Sequence, residues 1–396
     1  MATGRGHPGA DVLVIGAGVM GCSVAYQLAG RGLQVIVLEK DSIGAGSTGR
    51  SSAIIRQHYS HELTARMALY SLRVFENFEE RVGGECGFRR TGWLGFVSEE
   101  ERAGLEANLA LQRSVGIRTG LVSEEELNEL MPGLDLTGVA AAAYEPDSGY
   151  ADPHLTVNAY AAAARRLGAT IHLNAAVTGV RFSAGRVAGV DTTIGPFDAP
   201  AVVNCAGPWG ARVARLAGLQ VPVSSCRVQV AVFRRPPGHE GRHPVVIDFV
   251  RGIYLRDETG ALTLAGSIDP AEGRAIVDPD DYPEHVNDQF VAAVGAELVG
   301  RHPAMADAGA RGGYAGLYAV TPDWHPIVDQ APPGSGHFLC TGFSGHGFKL
   351  APAVGRMVAD LVTGEEAPMF PPRLFRLARF ADGGSLSGRY ASSIIG

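Results

Sequence analysis

The stretch Asp11-Val-Leu-Val-Ile15 runs directly into Gly16-Ala-Gly18-Val-Met-Gly21 near the start of this 396-residue chain. Its first five residues are mostly β-branched and apolar, which is typical of a strand buried on both faces. A helical pattern follows the glycines to about Ala29, where two further glycines should end it. A second buried strand follows at Gln34-Val-Ile-Val-Leu38. Together these residues predict one complete βαβ unit.

The spacing of the three glycines gives each of them a task in binding a dinucleotide. Gly16 permits a tight turn, Gly18 lets the backbone approach a pyrophosphate, and Gly21 lets the helix pack against the strand. The first amides of the helix would then hold the phosphate charge. Glu39 follows about 20 residues later, at the end of the second strand, where it can accept the ribose hydroxyls. A purely structural turn is the alternative, but the strand–turn–helix setting favours a dinucleotide site.

Composition narrows the remaining classes of protein. A chain that is 46% hydrophobic can bury a large core, and its length suggests two domains. The net charge of −7 and the lack of a basic run argue against nucleic acid or an anionic membrane as partner. Five scattered cysteines without a CxxC pair, and His58, His61 and His154 without ligand spacing, argue against a disulfide framework or a metal site. No apolar stretch approaches the roughly 18 residues of a membrane span. Residues 1–10 lack a signal-peptide pattern, so we expect a cytoplasmic protein.

The hydrophobic pattern beyond the first unit predicts two interleaved domains. Strand-like runs at Ala201–Cys205 and His337–Cys340 resemble further buried strands of the first sheet, whereas residues 216–328 show short alternating stretches typical of an antiparallel sheet. We predict a discontinuous α/β, Rossmann-type domain from residues 11–85, 150–215 and 335–365. An inserted α+β substrate domain on an antiparallel sheet would use residues 86–149 and 216–334, and residues 366–396 would form a C-terminal tail.

Capping-box spacing predicts two helix starts in the substrate domain. Ser98 stands three residues before Glu101, and Ser123 three residues before Glu126. Each serine could cap the backbone amides of a helix that begins directly after it.

A second glycine motif near the end of the chain favours FAD over NAD. The segment Gly342-Phe-Ser-Gly-His-Gly-Phe-Lys349 precedes a helix with an i, i+3, i+4, i+7 apolar stripe. Such a helix start could face a flavin ring, because its partial positive charge stabilises the electron-rich reduced form. The alternative is an ordinary loop.

These segments resemble the D-amino-acid oxidase superfamily of FAD-dependent oxidoreductases. The matching segments are Gly16–Gly21, Glu39, Gly46-Ser-Thr-Gly-Arg50, Ile54-Ile-Arg56, Val203-Asn-Cys-Ala-Gly207 and Gly342–Lys349. Within the superfamily the chain is most similar to sarcosine oxidases and to the β-subunits of heterotetrameric sarcosine oxidase and L-proline dehydrogenase. The resemblance implies hydride transfer from a secondary amino acid to flavin N5, giving an imine that water hydrolyses.

The resemblance also implies which residues contact the substrate and the cofactor. Arg56 and Lys349 match the cations that hold the substrate carboxylate, a bidentate fork and a point charge. Tyr254 matches an active-site tyrosine, and His346 is expected near the flavin in a positioning role. A surface ion pair for Arg56 and a packing role for Tyr254 are the alternatives. The residues expected to bind the cofactor are Gly16, Gly18, Val19, Met20, Gly21, Glu39, Lys40, Ser47, Thr48, Arg50, Ser51, Ser52, Val177, Ala206, Gly207, Trp209, Gly342, Phe343, Ser344, Gly345, His346, Gly347 and Lys349.

Departures from the family's patterns qualify these expectations. Gly316 stands where monomeric sarcosine oxidases tether FAD through a cysteine, and Arg50 where dimethylglycine dehydrogenases use a histidine, so we expect non-covalent FAD. Tyr318 stands where glycine oxidases and D-amino-acid oxidases place a carboxylate-binding arginine. Thr263 aligns loosely with a lysine that activates O2 in sarcosine oxidases, so the electron acceptor could be O2 or another molecule.

Three alternatives stay open at this point. The chain could be the flavin subunit of an amino-acid dehydrogenase complex. Either a homo-oligomer or a hetero-oligomer is possible. It could be a glycine-oxidase-type enzyme that acts on a larger N-substituted glycine. It could also be a regulatory flavoprotein subunit without turnover.

Overall fold

The computed structural model describes residues 9–269, 271 and 275–390. Residues 1–8, most of the stretch without a signal-peptide pattern, and the last six residues of the predicted tail lie outside this part. The strands, in chain order, are β1 (Val12–Ile15), β2 (Val35–Leu38), β3 (Ile54–Ile55), β4 (Arg89–Arg90), β5 (Trp93–Val97), β6 (Gly120–Leu121), β7 (Ala141–Glu145), β8 (Gly149–Tyr150), β9 (Thr170–His172), β10 (Val177–Ser183), β11 (Arg186–Thr192), β12 (Gly195–Asp198), β13 (Val202–Asn204), β14 (Ser224–Arg234), β15 (Val245–Asp248), β16 (Ile253–Glu258), β17 (Leu262–Ser267), β18 (Gly309–Val320), β19 (Ile327–Gln330) and β20 (His337–Thr341). The α-helices are α1 (Val19–Ala29), α2 (Glu62–Glu76), α3 (Phe78–Arg81), α4 (Arg102–Ser114), α5 (Glu124–Leu130), α6 (Pro153–Arg166), α7 (Gly210–Leu216), α8 (Asp288–Arg301) and α9 (Gly347–Thr363).

The predicted βαβ unit forms the centre of a six-stranded sheet with the order β19-β20-β13-β1-β2-β9. β1 pairs in parallel with both β2 and β13, as expected for a strand buried on both faces. Val12 and Val14 pack in a cluster with residues of α1, α6 and α9, whereas Leu13 and Ile15 pack against the small sheet β10-β11-β12. The sheet therefore lies between a helical layer and a second β layer.

The other large sheet has eight strands in the order β18-β14-β17-β16-β15-β5-β7-β6. Its pairs are antiparallel except for β15 with β5, which run parallel. The two sheets confirm the predicted fold class, an α/β Rossmann-type part with an α+β part on a largely antiparallel sheet. The division of the chain into two domains at these residue numbers stays a proposal. One strand does not follow it: β19 falls in the range given to the substrate domain but pairs with β20 in the six-stranded sheet.

Three helix starts show where local signals succeed and fail. Ser123 forms the predicted capping box, because its Oγ accepts from the Glu126 amide and the Glu126 carboxylate accepts from the Ser123 amide. Ser98 makes no capping hydrogen bond, and a 3-10 turn at Glu99–Glu101 precedes α4. The helical segment thus starts after Ser98 as predicted, but its first turn is a 3-10 turn and the serine does not cap it. A stronger start was overlooked at Asp152, which caps α6 and is followed by Pro153.

Candidate active site

A cavity of about 680 Å³ lies at the carboxyl ends of β1, β2 and β13. Ligands of open α/β sheets bind at this edge of the sheet. Residues of the eight-stranded sheet, including Ile247 and Tyr254, form another part of its wall. The predicted site residues that line it are Gly16, Gly18, Val19, Met20, Glu39, Lys40, Ser47, Thr48, Arg50, Ser51, Ser52, Arg56, Val177, Ala206, Gly207, Trp209, Tyr254, Phe343, Ser344, Gly345, His346, Gly347 and Lys349.

The first glycine motif forms a cradle in which two positions exclude any side chain. Gly16 has φ +103°, and a Cβ there would lie 2.7 Å from the carbonyl oxygen of Cys205. A Cβ on Gly21 would lie 1.9 Å from the carbonyl oxygen of Gly16. Gly18 faces the cavity, and a Cβ there would lie 3.2 Å from the Thr48 hydroxyl oxygen. The cradle therefore presents bare backbone and the start of α1 to the cavity, which suits a pyrophosphate.

Gly21 and Gly342 were expected to bind the cofactor but do not line the cavity. Gly21 provides the close helix–strand contact described above. A Cβ on Gly342 would lie 2.5 Å from the Thr321 methyl group, and the residue has φ +73°. Both glycines support the cavity by packing rather than by facing it.

Glu39 stands at the end of β2 with its carboxylate fixed beside the glycine cradle. Its Oε2 accepts from the Ala17 amide at 2.7 Å, and its Oε1 accepts from the Asp41 amide at 2.9 Å. Each carboxylate oxygen retains acceptor capacity, so the group can accept ribose hydroxyls as well.

The cavity rim is bridged by carboxylates that sequence reasoning did not find. Asp280 accepts from Lys40 at 2.5 Å, from the Trp209 indole at 2.8 Å and from Arg212 at 2.8 Å. Lys40 also lies 3.8 Å from the centre of the Trp209 ring. A second bridge joins Arg50 to Glu284 at 2.6 Å. These contacts join residues far apart in sequence, and the motifs gave no signal for them.

Two buried cations line another part of the cavity. Arg56 is 4% exposed, and its Nη1 donates to the carbonyl oxygen of His58. Lys349, in the first turn of α9, is 7% exposed, and its Nζ lies 3.4 Å from the Gly345 carbonyl oxygen. Burial, and then repulsion by the Arg56 guanidinium, lower the pKa of Lys349 well below its usual value. An anion bound in the cavity would offset both effects.

Tyr254 and His346 also line the cavity, each in a constrained position. The Tyr254 ring lies across Gly266, where an added Cβ would come within 2.3 Å of it. Burial raises the pKa of Tyr254 well above its usual value, so its hydroxyl stays protonated. His346 Nδ1 lies 3.2 Å from the Tyr59 hydroxyl. That fixed contact suits the positioning role expected for His346.

Gly316, Tyr318 and Thr263 are positions at which the chain differs from the relatives that it resembles, and each has a defined contact in the structure. Gly316 packs against Arg50, with the Arg50 Cβ 3.1 Å from where a Gly316 Cβ would be. The Tyr318 ring lines the cavity and would lie 2.7 Å from a Cβ on Gly345. Thr263 does not line the cavity, and its Oγ1 accepts instead from Arg235 at 3.1 Å. The Thr263 side chain is therefore held by Arg235 and does not face the cavity.

Within residues 9–269, 271 and 275–390, no helix is long and apolar enough to cross a membrane. Over the same ranges, no group of three or more histidine, cysteine, aspartate or glutamate residues is arranged to hold a metal ion.

The geometry of the cavity defines the class of protein. A cradle of bare backbone, a fixed acid beside it and a second glycine motif opening α9 fit a dinucleotide at the switch edge of a Rossmann-type sheet. The profile described as "FAD dependent oxidoreductase" (DAO) matches residues 11–361, and the chain belongs to this family.

Individual relatives agree with the family. The chain is 30% identical to the mitochondrial sarcosine dehydrogenase of Homo sapiens over 89% of its own length, but it spans only 39% of that relative. It is 27% identical to the sarcosine oxidase subunit beta of Rhodobacter capsulatus, over 97% of this chain and 92% of the relative. The crystal structure of L-proline dehydrogenase from P. horikoshii is 30% identical, with a TM-score of 0.87 over 95% of this chain and 98% of that one.

Proposed function

We propose that the protein oxidises the C–N bond of a secondary amino acid, such as sarcosine or another N-alkyl amino acid, with FAD as cofactor. The observation that carries this proposal is the pair of buried cations, Arg56 and Lys349, in the wall of the cavity. A substrate carboxylate bound between them would be attracted by the Arg56 guanidinium and the Lys349 ammonium group together. The names of two relatives add support, because sarcosine and L-proline are both secondary amino acids.

The residues of the chain would act mainly by binding and orientation. Arg56 would grip the carboxylate through its two-pronged guanidinium and Lys349 through its point charge, with the amine bound in its neutral form. When bound, FAD supplies the acceptor for a hydride from the carbon beside the nitrogen, leaving an imine that water hydrolyses. Fixing that carbon in place supplies much of the rate acceleration. No strong general base is required of the chain.

A second candidate is that the chain acts as the flavin subunit of a larger amino-acid dehydrogenase. The R. capsulatus relative is itself named as a subunit, and the two proteins align over almost their whole lengths. Electrons would then pass to another acceptor rather than to O2. Activity that requires a co-purifying partner would favour this candidate.

Anaerobic mixing with a panel of amino acids tests the proposed function. We expect sarcosine, another N-alkylglycine, L-proline or pipecolate to bleach the flavin absorbance, and the matching amines without a carboxylate to bleach it far more slowly. The carboxylate requirement follows from Arg56 and Lys349. If no secondary amino acid bleaches the flavin, the proposal is wrong and a regulatory role without turnover gains support.

We also propose that FAD is held without a covalent bond. Gly316 and Arg50, at the two positions where relatives carry tethers, offer neither a thiol nor an imidazole. Acid precipitation should therefore leave a colourless pellet and a yellow supernatant. A yellow pellet with a colourless supernatant would show a covalent bond to a residue outside these two positions.

A further inference from the structure

The C-terminal segment, residues 366–390, packs against residues that lie next to the cavity wall. Arg379 donates to both carboxylate oxygens of Asp323, at 2.8 and 3.0 Å, and each side chain is 1% exposed. The Leu386 amide donates to the same carboxylate at 3.1 Å. Further along, the Arg389 amide donates to the Ser60 hydroxyl at 3.2 Å. The segment is thus fixed at several points before it reaches Tyr390.

Tyr390 is packed behind the part of the cavity wall that Ile247 and Tyr254 form. Its side chain is 5% exposed and its ring centre lies 4.7 Å from that of Phe249. It belongs to one apolar cluster with Ile247 and Tyr254, which line the cavity from the eight-stranded sheet. Tyr390 therefore belongs to the structure that supports the cavity wall.

The Tyr390 hydroxyl holds one nitrogen of the His58 ring, at 2.5 Å from Nε2. Gln112 Nε2 lies 3.2 Å from the other ring nitrogen, Nδ1, and also donates to the Tyr59 carbonyl oxygen at 3.2 Å. Burial, and then the nearby Arg56, lower the pKa of His58 to about 3, so its ring is neutral. Since the Gln112 amide nitrogen Nε2 can only donate, His58 Nδ1 accepts and His58 Nε2–H donates to the Tyr390 hydroxyl oxygen.

His58 in turn fixes Arg56. The carbonyl oxygen of His58 accepts from Arg56 Nη1, and the Arg56 guanidinium lies 4.6 Å from the centre of the Tyr59 ring. The His58 ring stacks on Trp93, with 4.8 Å between ring centres. Glu145 secures the same backbone from another side by accepting from the Gln57 amide at 2.8 Å. Residues 57–59 thus form the support on which the Arg56 side chain rests.

We propose that Tyr390 is a positioning residue for Arg56, so that the C-terminal segment sets the affinity of the site for carboxylates. The chain of contacts runs from the Tyr390 hydroxyl to the His58 ring, and from the His58 carbonyl to the Arg56 guanidinium. This inference rests on the proposed function, in which Arg56 binds the substrate carboxylate. It assigns a role in recognition to a segment that lies beyond the family match at residue 361.

Acetate is the probe that tests the inference, with acetamide as its uncharged counterpart. Tyr390→Phe keeps the ring and removes the hydroxyl, and we expect about 3- to 30-fold weaker acetate binding, the cost of one buried hydrogen bond. Binding is followed through the absorbance of the bound FAD. In an Arg56→Ala background, Tyr390→Phe should cause no further loss, because the hydroxyl acts through Arg56. Gln112→Leu, which frees the other side of the His58 ring, should weaken acetate binding in the same direction.

Tyr26→Phe is the matched control. It likewise removes a hydrogen-bonded tyrosine hydroxyl, which here donates to the Arg81 carbonyl oxygen, but Tyr26 does not line the cavity. We expect it to leave acetate binding unchanged. Melting temperatures of all variants separate a loss of folded protein from a loss of affinity.

Each other outcome overturns the inference. Unchanged acetate binding in Tyr390→Phe, or an equal loss with and without Arg56, would show that Tyr390 is structural only. If Arg56→Ala weakens acetate binding but Tyr390→Phe does not, the inference about Tyr390 fails and the proposed function is kept. If the unsubstituted protein binds no acetate, or if Arg56→Ala binds it unchanged, the carboxylate site itself is wrong and both proposals fail.

Discussion

Arg56→Ala should raise the KM for the amino-acid substrate by roughly 30- to 1,000-fold while the protein keeps its FAD. Truncating one partner of a buried charge pair costs about 2–4 kcal/mol, which corresponds to that range of affinity. The loss is large because Arg56 is 4% exposed, so water cannot take over its hydrogen bonds. Steady-state kinetics and the flavin absorbance of the purified variant measure the two quantities.

The comparison variants separate charge from geometry. Arg56→Lys keeps the positive charge but loses the two-pronged guanidinium, so its KM should lie between those of the alanine variant and the unsubstituted protein. Arg118→Ala removes a surface arginine that pairs with Asp147 and is 66% exposed, and it should leave the KM unchanged. A normal KM in Arg56→Ala would remove this residue from the substrate site.

The local part of the site could be predicted from sequence because each glycine acts on near neighbours. The turn from β1 into α1, with Gly16 and Gly21 in contact, is complete within eleven residues of chain and follows a recurring pattern. The same holds for Ser123, whose partner Glu126 is three residues away. Family resemblance, rather than pattern, supplied Arg56 and Lys349.

The long-range contacts of the site could not be predicted, because nothing in the spacing of the residues records them. Lys40 meets Asp280 across 240 positions, Arg50 meets Glu284 across 234, and His58 meets Tyr390 across 332. A lone aspartate or tyrosine in a turn carries no sign of its partner until the chain is folded. Thr263 is a separate case, since it aligns loosely with a lysine of sarcosine oxidases but does not line the cavity.

Gly21→Ala should destabilise the protein by about 3 kcal/mol or more and leave it without FAD. Overpacking a tight contact costs about 1–3 kcal/mol, and here a Cβ would lie 1.9 Å from the Gly16 carbonyl oxygen, a backbone atom that no rotamer change can move. The substitution would otherwise stabilise α1, because alanine is favoured over glycine within a helix by about 1 kcal/mol. A loss of stability in Gly21→Ala would therefore show the cost of the contact with the Gly16 carbonyl oxygen, because helix propensity alone would raise stability.

Thermal unfolding and FAD content of the purified variant measure this prediction. Gly120→Ala is the control, because a Cβ there meets nothing within 4 Å and the residue lies in β6, away from the cavity. It should unfold close to the unsubstituted protein and keep its flavin. If Gly21→Ala unfolds at or above the melting temperature of the unsubstituted protein and keeps FAD bound, the glycine cradle tolerates a side chain at this position. The close approach of Gly21 to the Gly16 carbonyl oxygen would then not be required for dinucleotide binding.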